Sequence, residues 1–242
     1  MEPTSQRGCA LLATLRQLDT AVIADVLDEF GYPNQTISRA LAPSTGTVRF
    51  AGLAACVQMT PRVDDERAYD DFSAVDALAG PDVVLVLSCG GNAGGAVIGE
   101  FMAREFQRRG AVAVLTDGAA RDSAVIAQMG FTVYSKGTSP LNGARRLKTE
   151  STTSPVHIAG ETAEPVAICP GDFLVADDDG VVVVPQHIVS ELVEAASLYA
   201  SAERDVAAAM VGGTPRVSAL KTHNRVSRIQ PVLAKLMSGD KQ

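Results

Sequence analysis

The sequence predicts an α/β fold with a mixed β core flanked by helices, and three observations carry that prediction. An apolar run at 83–87 enters a glycine-rich turn at 90–95, a helical stretch follows, and a second apolar run at 111–115 ends in polar residues. The first run, VVLVL, is apolar at every position, as expected of a strand buried on both faces. With 242 residues, 46% of them apolar, the chain is long enough for one large core.

Taken in order, residues 20–30 place Ala21, Val22, Ala24, Val26, Leu27 and Phe30 at helical spacing, with Asp19 or Thr20 as cap and Gly31 as stop. Residues 31–44 are rich in turn formers. The stretch 47–60 reads as one or two strands interrupted at Gly52 and closed by Pro61. Residues 64–71 carry five acidic side chains, a solvated helix face or loop. A helix is expected over 97–109, where Arg108 and Arg109 suit the last turn and Gly110 stops it. A second helix at 123–129 leads into a strand at 131–134. Residues 138–165 read as loop with short strands. Residues 173–176 and 181–184 pair across a tight turn containing Asp177, Asp178 and Asp179. Those aspartates lack the DxDxDG spacing of a calcium loop. A long amphipathic helix over 187–210 ends at Gly212 and Gly213, and 214–242 is a net-positive helical extension. The expected division is a domain of 1–212 with an extension of 213–242.

Ligands of such α/β units bind beyond the carboxyl ends of the strands, so residues 90–95 and 117–122 should line one crevice. Glycines at 90, 91, 94 and 95 allow a tight turn that exposes N–H groups just before a helix, a place suited to an anion. The spacing is neither GxGxxG nor GxxxxGK[ST], which points to a small carboxylate or single phosphate rather than a nucleotide. Glu100, Arg121 and Asp122 supply a guanidinium beside two carboxylates, able to stabilise charge on a substrate oxygen and to hold a divalent cation. The competing reading is an ordinary salt-bridge network. Lys136 follows the next strand; it could approach an anion, and a solvated lysine is the plainer reading.

The net charge of −7 speaks against nucleic acid as a partner. Four cysteines show no CxxC spacing and three histidines no HxxxH or HExxH, so a zinc site is not expected; Cys56, Cys89 and Cys169 read as buried thiols. No run has membrane-spanning length and residues 1–20 lack a signal-peptide core, which predicts a cytoplasmic protein without a membrane partner.

The succession of GG, GE, RRG, TDGAARD and GFTVYSKG, with DTAVIADVL at 19–27 and PGDFLVADDDGVVVVP at 170–185, resembles the RraA-like family over about residues 15–205. That family includes regulators of ribonuclease activity and metal-dependent 4-hydroxy-4-methyl-2-oxoglutarate aldolases. The resemblance implies a swivelling β/β/α architecture, a trimer or pair of trimers with sites between subunits, and Mg²⁺ or Mn²⁺ as cofactor. It implies that Asp122 ligates the metal, that Glu100 holds a metal-bound water, and that Arg121 faces the keto oxygen of a pyruvate-like group. It further implies that backbone amides across Gly91, Asn92, Ala93, Gly94 and Gly95 receive the substrate carboxylate. The implied activity is retro-aldol cleavage of a 4-hydroxy-2-oxo acid to pyruvate, with oxaloacetate decarboxylation through the same enolate. Metal-dependent members often carry an acidic residue three places after the aspartate, where this chain has Val125. A glutamate from a neighbouring subunit, best matched by Glu203, is implied near the metal. The alternative is a non-catalytic regulator that binds a ribonuclease.

Overall fold

A computed structural model of the chain describes residues 6–45, 49–62, 69–91 and 94–238. Two compact units emerge, one formed by Met1–Pro33 with His187–Gln242 and the other by Asn34–Gln186. The first unit begins with helices α1 (Gln6–Leu15) and α2 (Thr20–Glu29). The second helix is the one predicted, with Val22, Ile23, Val26 and Leu27 on its buried face.

The second unit runs β1 (Ala42–Thr45), β2 (Phe50–Pro61), α3 (Ser73–Asp76), β3 (Val83–Ser88), β4 (Ala96–Ile98), α4 (Glu100–Arg108), β5 (Ala113–Thr116), β6 (Ala119–Ala120), α5 (Ser123–Gln128) and β7 (Thr132–Ser135), then β8 (Leu147–Ser151), β9 (Val156–Ile158), β10 (Val166–Ile168), β11 (Phe173–Asp177) and β12 (Gly180–Val184). Eight of these strands form one mixed sheet in the order β1-β7-β5-β3-β2-β11-β12, with β8 also paired to β2. Strands β2, β3, β5 and β7 run parallel, so their carboxyl ends lie along one edge. On β3 the side chains of Val83, Leu85 and Leu87 join a core with Ala103 and Phe106 of α4 and Ile126 of α5. Val84 and Val86 point the other way, into a core with Val156 and Ile158 of β9 and Val166 and Ile168 of β10. Helices cover one face of the sheet and a β-hairpin the other, which is why the run is apolar throughout.

Four local expectations are corrected. The helix predicted over 97–109 begins at Glu100, because Ala96–Ile98 pair in parallel with Ala119–Ala120. Strand β2 passes through Gly52 without interruption; a Cβ there would stand 2.7 Å from the Asp82 carbonyl oxygen. Cys169 is exposed, since period-two alternation along β10 turns Val166 and Ile168 inward and their odd-numbered neighbours out. Of the acidic stretch, Asp64 to Arg67 lie outside the described residues, while Asp70 accepts hydrogen bonds from the N–H groups of Phe72 and Thr149, both at 2.8 Å, so it is a structural residue. The hairpin at Asp177–Gly180 forms as predicted, with Asp178 and Asp179 as its two-residue loop.

The first unit is completed by α6 (Val189–Val211), α7 (Arg216–Thr222) and α8 (Arg225–Ser238), and α6 packs against all four other helices of that unit. Tyr199 of α6 donates a hydrogen bond to Asp25 of α2 at 2.9 Å. Arg225 at the start of α8 bonds Glu203 at 2.6 Å and lies 4.9 Å from the Tyr199 ring centre. This cation–π and ion-pair cluster ties α8 to α6.

Candidate active site

Three loops at the carboxyl ends of β3, β5 and β7 meet beyond the sheet edge, as parallel strands dictate. The loop after β3 turns through Gly90 and Gly91 at φ 70° and 72°, and through Gly94 at φ 58°, conformations that disfavour side chains. Asn92 and Ala93, two of the residues assigned to the substrate, lie outside the described residues. Gly91, Gly94 and Gly95 line an open hollow of about 320 Å³ together with Asp117 and Lys136.

Asp117 follows β5, is 6% exposed, and acts as the peg for the glycine turn. Its Oδ1 accepts from the Cys89 N–H at 2.7 Å and from the Cys89 thiol at 3.2 Å, while Oδ2 accepts from the Gly91 N–H at 2.8 Å. A carboxylate with this many donors is satisfied inside the fold. The Gly91 N–H is therefore already engaged, and the Ala96 N–H donates to the Leu141 carbonyl. Among the described residues, the N–H groups of Gly94 and Gly95 have no such partner and remain the amides suited to an anion.

Arg121 and Asp122 line a second hollow of about 290 Å³, which shares Thr138 and Ser139 with the first. The Arg121 N–H donates to the Ile98 carbonyl at 2.9 Å, so the β4–β6 pairing sets where its side chain starts. Asp122 precedes α5 in the left-handed region (φ 57°, ψ 30°) and does not cap that helix. Its Oδ2 instead accepts from the Glu100 N–H, the first of α4, at 3.1 Å, and lies 3.4 Å from Arg121 Nε. Non-glycine residues in this conformation mark positions held by their surroundings, often at functional sites. Glu100 Oε1 accepts from Arg104 Nε at 2.8 Å, one turn along α4.

Gly99 makes this cluster possible. A Cβ there would stand 2.8 Å from Arg121 Nε and 3.0 Å from Asp122 Oδ2. The carboxylates of Asp122 and Glu100 each keep one oxygen without a hydrogen bond among the described residues. No three His, Cys, Asp or Glu side chains among those residues converge on one point. One or two carboxylates with open positions for water and substrate oxygens is a donor set that fits Mg²⁺ or Mn²⁺.

A third groove runs from Arg121 over Phe101 and Met102 to Asp76. Burial raises the Asp76 carboxyl above the usual carboxylate range, with nearby Glu105 adding to the rise. Glu105 itself is held down to about 2 by hydrogen bonds from Arg108 and Arg109. Glu203, expected near the metal, is bonded to Arg225. Sequence reasoning missed Thr138 and Ser139, which wall both hollows, and gave Asp117 no distinct role. Applying the strand-end rule to β7, as to β3 and β5, would have found the first two.

Fold and site together define an α/β protein with a glycine-lined hollow beside an acidic and arginine cluster at the ends of parallel strands. The chain belongs to the RraA-like family, whose Aldolase/RraA model matches residues 20–183. It is 26% identical over 204 residues to Protein DlpA of Legionella pneumophila, covering 84% of this chain and 32% of that protein, so the chain spans about a third of that relative's length. It is 28% identical over 144 residues to the 4-hydroxy-4-methyl-2-oxoglutarate aldolase of Thermus thermophilus, covering 58% of this chain and 79% of the relative. The fold is shared with the crystal structure of Streptomyces coelicolor RraAS2, described as an unusual member of the RNase ES inhibitor RraA family. The two superpose with a TM-score of 0.70 at 28% identity, over 81% of this chain and 94% of the other. Among the described residues no helix is long and apolar enough to cross a membrane.

Proposed function

We propose that this chain is a divalent-metal-dependent carbon–carbon lyase that cleaves a 4-hydroxy-2-oxo acid, such as 4-hydroxy-4-methyl-2-oxoglutarate, to pyruvate, and that also decarboxylates oxaloacetate. The observation that carries the reading is the convergence of Asp122, Arg121 and the start of α4 at Gly99 and Glu100, one shared wall away from the glycine turn. Asp122 would hold Mg²⁺ or Mn²⁺ and Glu100 a water beside it. A cation bound there withdraws electron density from the carbonyl of a 2-oxo acid. The amides of Gly94 and Gly95 receive the carboxylate and fix the substrate's orientation. Arg121 donates hydrogen bonds to the keto oxygen as it gains negative charge. In the aldol cleavage the C4 hydroxyl would give its proton to the water held by Glu100, C4 becomes a carbonyl as the C3–C4 electron pair moves to the enolate of pyruvate, and C3 then takes a proton back from that water. Loss of CO₂ from oxaloacetate leaves the same enolate.

The reading treats residues 1–212 as the lyase domain and 213–242 as its extension, in a cytoplasmic homo-oligomer, trimer or hexamer. In support of assembly, Phe101, next to Glu100, is 78% exposed. The test is pyruvate release from both substrates by purified protein with Mg²⁺ or Mn²⁺. Folded protein that releases pyruvate from neither overturns the reading.

A second reading, a ribonuclease-binding regulator without catalysis, draws on the likeness to RraAS2 and on Val125, half-buried on α5 where an added carboxylate would strengthen a metal site. A pull-down with the ribonuclease, alongside a metal titration, separates the two.

A further inference from the structure

Resting on that reading, we propose that Lys136 is a substrate-recognition residue, its ammonium group receiving the carboxylate of the 2-oxo acid across from the Gly94 and Gly95 amides. The glycine-lined hollow carries few charges. Its only charged lining residues among those described are Asp117 and Lys136. Asp117 is buried and fully engaged with Cys89 and Gly91, so it contributes a fixed negative charge that disfavours an anion. Lys136 Nζ leans over the turn and donates to the Gly91 carbonyl at 3.4 Å, leaving further N–H groups for a ligand. Among the described residues it forms no ion pair.

Position strengthens the case. The Lys136 N–H donates to the Gly118 carbonyl at 2.9 Å, so the β7 loop is pinned to the β5 loop beside the turn. From there the chain continues through Thr138 and Ser139, the wall shared with the hollow of Arg121 and Asp122. A 2-oxo acid thus lies between two cations with separate duties, Arg121 at the keto oxygen and Lys136 at the carboxylate. Without Lys136 the first hollow keeps only the charge of Asp117.

The test is calorimetric binding of pyruvate and of oxalate, in the presence of Mg²⁺, to the full chain and to Lys136→Gln and Lys136→Arg. Glutamine keeps a polar side chain of similar bulk but carries no charge, and an unchanged melting temperature separates recognition from loop support. Loss of a charge-assisted hydrogen bond should weaken both ligands about 10- to 100-fold in Lys136→Gln, while Lys136→Arg keeps most of the affinity. Raising the salt concentration should weaken binding to the parent chain more than to Lys136→Gln. Melting temperatures of the two variants should match the parent. If the parent binds and Lys136→Gln binds equally well, the role of Lys136 is overturned and the lyase reading stands. If the parent binds neither ligand, both fall.

Discussion

Replacing Asp122 by asparagine separates chemistry from architecture most cleanly. The side chain is 41% exposed and its partner Arg121 33%, so the ion pair contributes about 0–1 kcal/mol to stability. Asparagine keeps an oxygen for the Glu100 N–H and tolerates the left-handed backbone, so the net loss should be about 1 kcal/mol or less. For a chain of this size that is a fall in Tm of about 2–4 °C. Catalysis should suffer far more, because the substitution removes the carboxylate proposed to hold the cation directly, leaving only that of Glu100. Loss of such an electrostatic partner reduces kcat by about 10²–10³-fold. Pyruvate release, coupled to NADH oxidation by lactate dehydrogenase and measured across a Mg²⁺ titration, reads this directly. A variant with parental kcat/KM at saturating Mg²⁺ would refute the assignment of Asp122. Asp122→Ala should lose activity equally and cost about 1–2 kcal/mol more stability, since alanine resists the left-handed region.

Three further outcomes follow. Gly99→Ala places a methyl 2.8 Å from Arg121 Nε; the backbone there is extended (φ −141°), so crowding alone acts, and kcat should fall at least about tenfold with a stability loss of about 1–3 kcal/mol. Asp117→Asn turns an amide N–H₂ towards N–H donors, which should destabilise the fold by about 2–4 kcal/mol in urea titration and weaken pyruvate binding. Burial pushes the Cys56 thiol up to about 12, so the native state keeps its proton while the unfolded thiol ionises near 9. Stability should therefore decline as pH rises from about 9 towards 12, and less steeply in Cys56→Val, as urea unfolding at successive pH values would show.

The fold class was legible in the apolar run of β3, because burial on both faces leaves no polar position to confuse the reading. The β11–β12 hairpin was legible for a similar reason, its turn chemistry being local. The start of α4 was not: Val97 and Ile98 suit either helix or strand, and only their pairing with residues 119–120, far along the chain, decides. Strands β8, β9 and β10 were blurred by short length and polar neighbours. In the site, Arg121 and Asp122 stood out by type and place. Asp117 looked the same on paper, yet burial makes it a fastener rather than a reagent. Thr138 and Ser139 gave no signal of type at all.

The three-loop arrangement also bears on how such a protein changes over generations. The glycine turn, the Arg121–Asp122 cluster and Lys136 sit on segments that leave the sheet at different strands. The backbone after β7 is tied to Gly118 and Ala120, and Thr138 and Ser139 wall both hollows, so a change of side chain at Lys136 disturbs the Arg121–Asp122 cluster least. On the proposed reading, a switch from one oxo acid to another would begin at that single position.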